Sequence, residues 1–534
     1  MAQEGAHRTG DVGPSNEVNR MAGGDIARRA ANRTPTQQAF IVPAQDETVT
    51  YEVFNRRANR AAQAFRASGL AAGDRLAVVG GNSLQFLTTY FGALKAGIVV
   101  TPLNPEITAA DLGYELDHAE ADAVIVDDVL YPKVDPLVGD RDIEIIAAID
   151  WGGEDVPVQS FRTFIEDYSE TEPPVEIRDD DVAQIMYTSG TTSRPKGVLL
   201  SHKAITTGSV NVSATTDLSR HDVMSCVMPL FHCAQLTMVK GAMHVSATVV
   251  VRRSFDPDGF LADVEDRGLT WSFMLPAMYN GLLARDDIDD RDLSSLDYCL
   301  YAMAPIGNET LERAIEVFDA DFALGSGQTE AYPPTCVYHP EWQLEKQGNY
   351  WGRAAALTDI EIMDDDGSLL PQGEIGEIVY RGPNVMDGYL KNEAATAEAF
   401  AHGWFHSGDM GFFDEDGLLK FVDRKKDMIK SGGENVSTQK VESLLLDHPS
   451  VAEVAIVGLP HERWGEAVTA FVVPDEGADA SPEDILEYSS EHLAGFETPK
   501  SVEFVDELPK TSTGKIQKFQ LAEREQEYYR ERDD

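Results

Sequence analysis

The segment Tyr187-Thr188-Ser189-Gly190-Thr191-Thr192-Ser193-Arg194-Pro195-Lys196-Gly197 joins a dense row of hydroxyls and backbone amides to a single lysine. Convergent amides, hydroxyls and one cation are the groups that hold phosphate oxygens. A short strand, Ala183 to Met186, is expected before the segment and Val198-Leu199-Leu200 follows it, which predicts a loop between strands. The Walker phosphate loop instead places its lysine before Ser or Thr at the start of a helix. Here Lys196 precedes Gly197 and Val198. Surface turns also collect Ser, Thr, Gly and Pro, so the loop needs support from elsewhere in the chain.

Four further motifs supply it: Gly325-Ser326-Gly327-Gln328-Thr329-Glu330, Trp404-Phe405-His406-Ser407-Gly408-Asp409, Asp423-Arg424-Lys425-Lys426-Asp427 and Pro509-Lys510-Thr511-Ser512-Thr513-Gly514-Lys515. Each is weak alone. In this order and at these separations the set resembles the adenylate-forming acyl-CoA synthetase family, relatives of the luciferases and of peptide-synthetase adenylation domains. The likeness runs from about residue 25 to about residue 525.

The resemblance implies an enzyme that makes an acyl-adenylate from a carboxylic acid and ATP, then passes the acyl group to a thiol. A carboxylate attacking the α-phosphate concentrates negative charge, which calls for cations and donors already in place. By the same resemblance Thr188, Ser189, Gly190, Thr191, Thr192 and Lys196 would enclose the β- and γ-phosphates. Glu330, with the Thr188 hydroxyl, would hold Mg²⁺, a hard cation suited to oxygen ligands. Thr329 would donate to the α-phosphate, within Gly325, Ser326, Gly327 and Gln328 of the nucleotide site. Asp409 would accept from the ribose hydroxyls, assisted by Arg424, and Ala302, Ala304 and Pro305 would line the adenine.

Lys515 would be the catalytic lysine of the adenylation step, carried on a separate small domain that swings about Lys426. After the swing Ser431, Gly432, Gly433 and Glu434 would face coenzyme A. His232 would border the acid and thiol channels, and the acid pocket would draw on Trp271 to Tyr279, Tyr301 to Met303 and Tyr332. Two positions depart from the family pattern: Ser193 replaces a glycine, and Ser326 replaces a tyrosine that stacks on adenine, a role that Tyr350 or Trp351 could assume. The implied substrates are ATP, CoA and a medium- or long-chain fatty acid, with aryl acids of the coumarate or benzoate type, or a carrier protein, as alternatives.

The elements that must position these residues follow from the pattern of the chain. Length alone, 534 residues, calls for more than one domain. Arg75 to Val79, Ile98 to Thr101 and Ala123 to Val126 read as strands, and Thr50 to Ser68 and Leu84 to Ala96 as amphipathic helices. That alternation predicts an α/β fold of layered subdomains with largely parallel strands. Near 360 to 422 acidic Gly turns separate strands, predicting a small β-rich section. After the basic stretch, helix, strand, strand, helix and strand predict a small mobile α+β domain. The expected division is a disordered 1–20, a large domain 21–425 and a mobile domain 426–534.

Composition narrows the partners. A net charge of -47 repels nucleic-acid phosphates and excludes DNA or RNA as a partner. It also suits a protein working in concentrated salt, where screening over about 3 Å removes the self-repulsion. Against that background the 16 lysines are informative, since nine of them fall between Lys420 and Lys518. Cys226, Cys233, Cys299 and Cys336 show no paired spacing, so neither a zinc site nor a disulfide framework is predicted. They read as small buried residues. With no apolar run of membrane length and no signal-like N-terminus, a cytoplasmic protein without integral membrane association is expected. Association into a homodimer is left open.

Overall fold

Strands from distant parts of the chain meet in three sheets. The computed structural model describes residues 20–139, 141, 143–188, 194–303, 306–346, 348–461, 463–475, 477–478, 480–510, 516–525 and 528–529. Among them one sheet has thirteen strands, a second seven and a third five. The seven-stranded sheet runs Gly388–Tyr389, Lys196–Ser201, Val182–Thr188, Val99–Leu103, Arg75–Val79, Ala123–Asp127, Glu144–Ile149. Its centre is parallel and buried on both faces, which is why these strands read as unbroken apolar runs.

The large sheet is parallel from Gln38–Val42 through Thr248–Val251, Val223–Cys226, Trp271–Met274 and Tyr298–Ala302 to Asp321–Gln328. It then turns antiparallel at Ala331–Tyr338. The β-rich section expected near 360 to 422 is a continuation of this sheet, joined through Tyr350–Ala354. Its acidic turns fall where the sequence places them, Asp364 to Gly367 after one strand and Asp414 to Gly417 between two others.

Helices fill the space between the two large sheets. Leu84–Ala96 begins where the Ser83 hydroxyl accepts the Phe86 amide at 3.0 Å, and every residue in it is buried. His202–Thr215 and Cys233–Val245 pack side by side. Gly208 permits the first of these to touch the large sheet, because a Cβ there would stand 2.6 Å from the Tyr332 ring.

The third sheet is made of strands from Ile429 onward. Helix Thr438–Leu446, strands Val451–His461 and Gly465–Pro474, helix Pro482–His492 and strand Ser501–Phe504 occur in the expected order, around their own apolar cluster of Val441, Leu445, Ile456 and Val468. The disorder expected of 1–20 falls outside the described residues except for Arg20, whose guanidinium pairs with Asp25 at 2.8 Å. No helix among the described residues is long and apolar enough to cross a membrane.

Candidate active site

The phosphate-directed loop is the connection of an antiparallel hairpin, with Thr188 opposite Lys196. That is the strand-to-strand setting the sequence predicts. Ser189, Gly190, Thr191, Thr192 and Ser193 lie outside the described residues, as do Ala304, Pro305 and the 511–515 segment with Lys515. What remains is the frame around them.

Lys196 sits with Nζ 3.8 Å from the centre of the Tyr389 ring, and the Tyr389 hydroxyl donates to Glu330 Oε1 at 3.0 Å. A cation and a carboxylate thus share one tyrosine between them. Burial, with the Glu330 charge beside it, pushes the Tyr389 hydroxyl well above its ordinary value, so it stays a donor. Backbone bonds fix the group: Tyr389 pairs with Val198, the Leu390 amide reaches Gly197 O at 2.7 Å and the Met386 amide reaches Glu330 O at 2.7 Å. Residues 385–390 therefore stitch the seven-stranded sheet to the thirteen-stranded one.

Thr329 and Glu330 form the two-residue turn of a second hairpin, closed by Gln328 opposite Ala331. Thr329 Oγ1 lies 3.5 Å from Cys233 Sγ, in the first turn of the Cys233–Val245 helix. His232 caps that helix with its backbone alone, and its Nε2 has no hydrogen-bond partner among the described residues. Burial pushes the His232 imidazole down to about 4, so it is neutral at pH 7.

Asp409 and Arg424 stand opposite each other on paired strands, with Arg424 Nε 2.7 Å from Asp409 Oδ1. The turn into Asp409 is braced. Glu377 accepts the Gly408 amide at 3.0 Å, His406 Nδ1 at 3.0 Å and Lys425 Nζ at 3.0 Å. Burial raises the Glu377 carboxyl, but its partners outweigh that and hold it below the usual carboxylate range.

The rest of the predicted set divides. Gly325 and Ala302 are paired neighbours on adjacent parallel strands, close to Met303, which is 69% exposed at φ +73°. Ser326 pairs with Cys336. Gly327 is exposed at the end of the same strand. Neither replacement ring is free: Trp351 stacks on Phe421 at 4.7 Å, and Tyr350 on Tyr338 at 5.7 Å. Trp271 and Tyr279, expected in the acid pocket, are core residues instead, Trp271 stacked on Tyr298 and Tyr279 bonded to Leu300 O at 3.1 Å.

Ser431 and Glu434 pair across a two-residue turn in which Gly432 and Gly433 both take positive φ, +63° and +92°. This is the hairpin geometry that selects Gly-Gly. Lys426 lies exposed in the turn between Arg424 and Met428, whose amide returns to Arg424 O at 3.0 Å.

Sequence reasoning missed Tyr389 and treated Cys233 as plain core. Cys226, Cys299 and Cys336 are indeed buried, whereas Cys233 is only partly so and touches the site. The signal for Cys233 was its place directly after His232; for Tyr389 it was the Gly388-Tyr389 pair a few residues after Pro383.

Two α/β sheets with this pair of hairpins at their seam, followed by a small α+β unit, define an adenylate-forming enzyme. The chain belongs to the AMP-binding enzyme family: the family model matches residues 27–390, and the model of the AMP-binding enzyme C-terminal domain matches 440–515. Among similar proteins, a feruloyl-CoA synthase of an Amycolatopsis species is 39% identical over 89% of this chain and 94% of its own. The long-chain-fatty-acid–CoA ligase FadD13 of Mycobacterium tuberculosis is 34% identical over 94% of this chain and 98% of its own. In structure the chain is similar to ATP-bound MatB from Rhodopseudomonas palustris, with a TM-score of 0.86 and 28% identity over 95% of this chain and 99% of that one.

Proposed function

We propose that this acid–thiol ligase joins a carboxylic acid to coenzyme A in two steps at one site. In the first, a carboxylate oxygen bonds to the α-phosphorus of ATP as the bond to the β-phosphate oxygen breaks, and pyrophosphate leaves. In the second, the CoA sulfur bonds to the acyl carbon, AMP leaves with the former carboxylate oxygen, and the thiol proton passes to solvent. The observation that carries this reading is the Lys196–Tyr389–Glu330 group at the mouth of the phosphate hairpin. It supplies a cation for phosphate oxygens beside a carboxylate for their counter-ion.

Magnesium suits the donors present. Thr188 and Glu330 offer hard oxygens, and phosphate oxygens and water would complete the six positions. Among the described residues no cluster of three or more His, Cys, Asp or Glu could cage a metal without substrate. The bound ion would neutralise charge developing on the phosphates. Thr329 donates to the α-phosphate, Asp409 with Arg424 holds the ribose, and His232 borders the passage between acid and thiol. Lys515 completes the adenylation site from the small domain, which turns about Lys426 so that the Gly432-Gly433 hairpin meets the pantetheine arm.

The acid is a medium- or long-chain fatty acid or an aryl acid; the relatives include a long-chain-fatty-acid–CoA ligase and a feruloyl-CoA synthase. The protein works in the cytoplasm of a cell with molar internal salt, as its excess of 91 acidic over 44 basic residues supports. The test is ATP- and acid-dependent pyrophosphate release in molar salt, with and without CoA. A CoA-stimulated signal is expected; release indifferent to CoA would mean that the acceptor is a carrier protein. Unfolding on dialysis into dilute buffer is expected, and full stability there would refute the salt reading.

A further inference from the structure

We propose, resting on the reading of Asp409 and Arg424 as the ribose pair, that Glu377 is the positioning residue of that pair and governs the grip on the ribose hydroxyls by holding both members in place. The backbone alone does not hold them. Asp409 lies on strand Phe405–Phe413, which runs between strand Gly376–Arg381 and strand Leu419–Arg424. On the first side His406 pairs with Val379 and Met410 with Glu377, so Ser407, Gly408 and Asp409 stand against the single residue Ile378. On the second side the register shifts between Met410 and Gly411, directly after Asp409. Irregular pairing of this kind re-aims a side chain and sacrifices ladder bonds.

Side chains replace what the ladder loses. The Ser407 hydroxyl donates to Ile378 O at 2.6 Å and accepts the Asp409 amide at 3.0 Å. Glu377 Oε1 accepts the Gly408 amide at 3.0 Å, and its Oε2 accepts from Lys425 Nζ at 3.0 Å. The Lys425 amide donates in turn to Gly408 O at 2.9 Å. These bonds close a ring through Glu377, Gly408 and Lys425. The residues that Glu377 joins are therefore the one before Asp409 and the one after Arg424.

Glu377 reaches past a whole strand to do this, because Gly376–Arg381 and Leu419–Arg424 each flank Phe405–Phe413 and are not neighbours in the sheet. It is 6% exposed, so water competes little for the bond to Lys425. The other carboxylate on Lys425, Asp365, is 88% exposed, and an ion pair so open to solvent contributes little. Asp128 offers a contrast. It is buried too, but it gathers the amides of Val129, Gly152, Gly153 and Glu154 and among the described residues meets no cation, so it shapes a loop. Glu377 instead ties together the two strands that carry the ribose pair. The ring ends one residue short of Lys426, the proposed swing point, and keeps Arg424 on Asp409 as the small domain turns.

Without the carboxylate, Gly408 and Lys425 are released together and Asp409 is no longer aimed. A site organised to bind a hydroxyl rejects the analogue that lacks it, so the loss falls on nucleotides that carry the ribose hydroxyls.

The experiment measures by calorimetry, on the full chain in molar salt, the affinities for AMP and for dideoxy-AMP, which lacks both ribose hydroxyls. Wild type should bind AMP at least about tenfold more tightly. Glu377→Leu should cut that preference to about threefold or less, chiefly by weakening AMP, and Lys425→Met should cut it several-fold. Asp365→Asn, which removes only the exposed partner of Lys425, should retain it. Equal loss of affinity for both nucleotides in Glu377→Leu would assign Glu377 to the fold alone and overturn the proposal. An unchanged preference would overturn it as well, as would an equal fall in Asp365→Asn. If circular dichroism shows that Glu377→Leu does not fold, the preference is read in Glu377→Gln, which keeps an acceptor for Gly408 and loses the charge facing Lys425. A several-fold fall is expected there, and an unchanged preference counts against the proposal. A wild type without the preference removes the ribose assignment and this proposal with it. Absence of pyrophosphate release with every acid overturns the ligase reading instead, while nucleotide binding still decides the role of Glu377.

Discussion

Asp423 and Thr438 stand on either side of Lys426 in the sequence and meet in space, the carboxylate of Asp423 accepting the Thr438 hydroxyl at 2.9 Å and its backbone amide at 2.5 Å. Asp423 is 1% exposed on a strand of the large sheet, while Thr438 opens the first helix of the small domain. Lys518 Nζ adds a bond to the same threonine at 2.7 Å and pairs with Glu442. The joint is a buried polar cluster, and removing the Asp423 carboxylate leaves the Thr438 amide without its acceptor. Asp423→Ala should cost about 1–3 kcal/mol and loosen the small domain, seen as faster hydrogen exchange of 437–446 with exchange in the Leu84–Ala96 helix unchanged.

Tyr389→Phe keeps the ring beneath Lys196 and removes the bond to Glu330. A hydrogen bond to a charged group is worth about 1.5–3 kcal/mol. The expected result is a rise of roughly tenfold or more in the magnesium concentration giving half-maximal pyrophosphate release. A shift in melting temperature with no change in magnesium dependence would mean that the hydroxyl serves the fold alone.

Glu115 gives a pH dependence whose sign is opposite to that of most carboxylates. Burial, then the nearby Asp111 charge, pushes its carboxyl up from 4.5 to about 8. The folded protein keeps a proton that the unfolded chain releases, so this contribution to stability is full below about 4.5 and is lost as pH rises through 8. Glu115→Gln should therefore melt like wild type near pH 4.5 and be more stable than wild type at pH 9, by about 1–4 kcal/mol.

His202 sets the opposite limb. It is 1% exposed, and its Nδ1 accepts the Gly23 amide at 3.1 Å, which requires an unprotonated nitrogen. Burial pushes it down from 6.5 to about 4. The unfolded chain takes up a proton first, so this contribution is held above 6.5 and lost as pH falls toward 4. His202→Gln should flatten the acid side of a plot of melting temperature against pH; an unaltered slope between pH 6.5 and 4 would assign acid sensitivity to other groups.

The fold was legible wherever one period ruled a segment. Leu84–Ala96 matches the predicted helix residue for residue, and Arg75 to Val79 is a strand as read. Asp409 and Arg424 were legible as motif members, and their direct opposition follows from strand register, which motif spacing does not encode. Trp271 and Tyr279 misled because an aromatic residue that lines a pocket and one that fills a core look alike in sequence. The surroundings of the buried Lys240 were invisible for a related reason: its partners Tyr90 and Tyr332 lie 150 and 92 residues away.

Residues 385–390 bridge the two large sheets through Val385 opposite Ala331, the Met386 amide and the pairing of Tyr389 with Val198. Turnover is therefore a gauge of how well one half of the enzyme is aligned with the other. The stitch works as a mechanical fuse, since slight slippage there separates Glu330 from Lys196 while both cores remain packed. Mild heat or denaturant should silence the enzyme before circular dichroism registers any loss of structure.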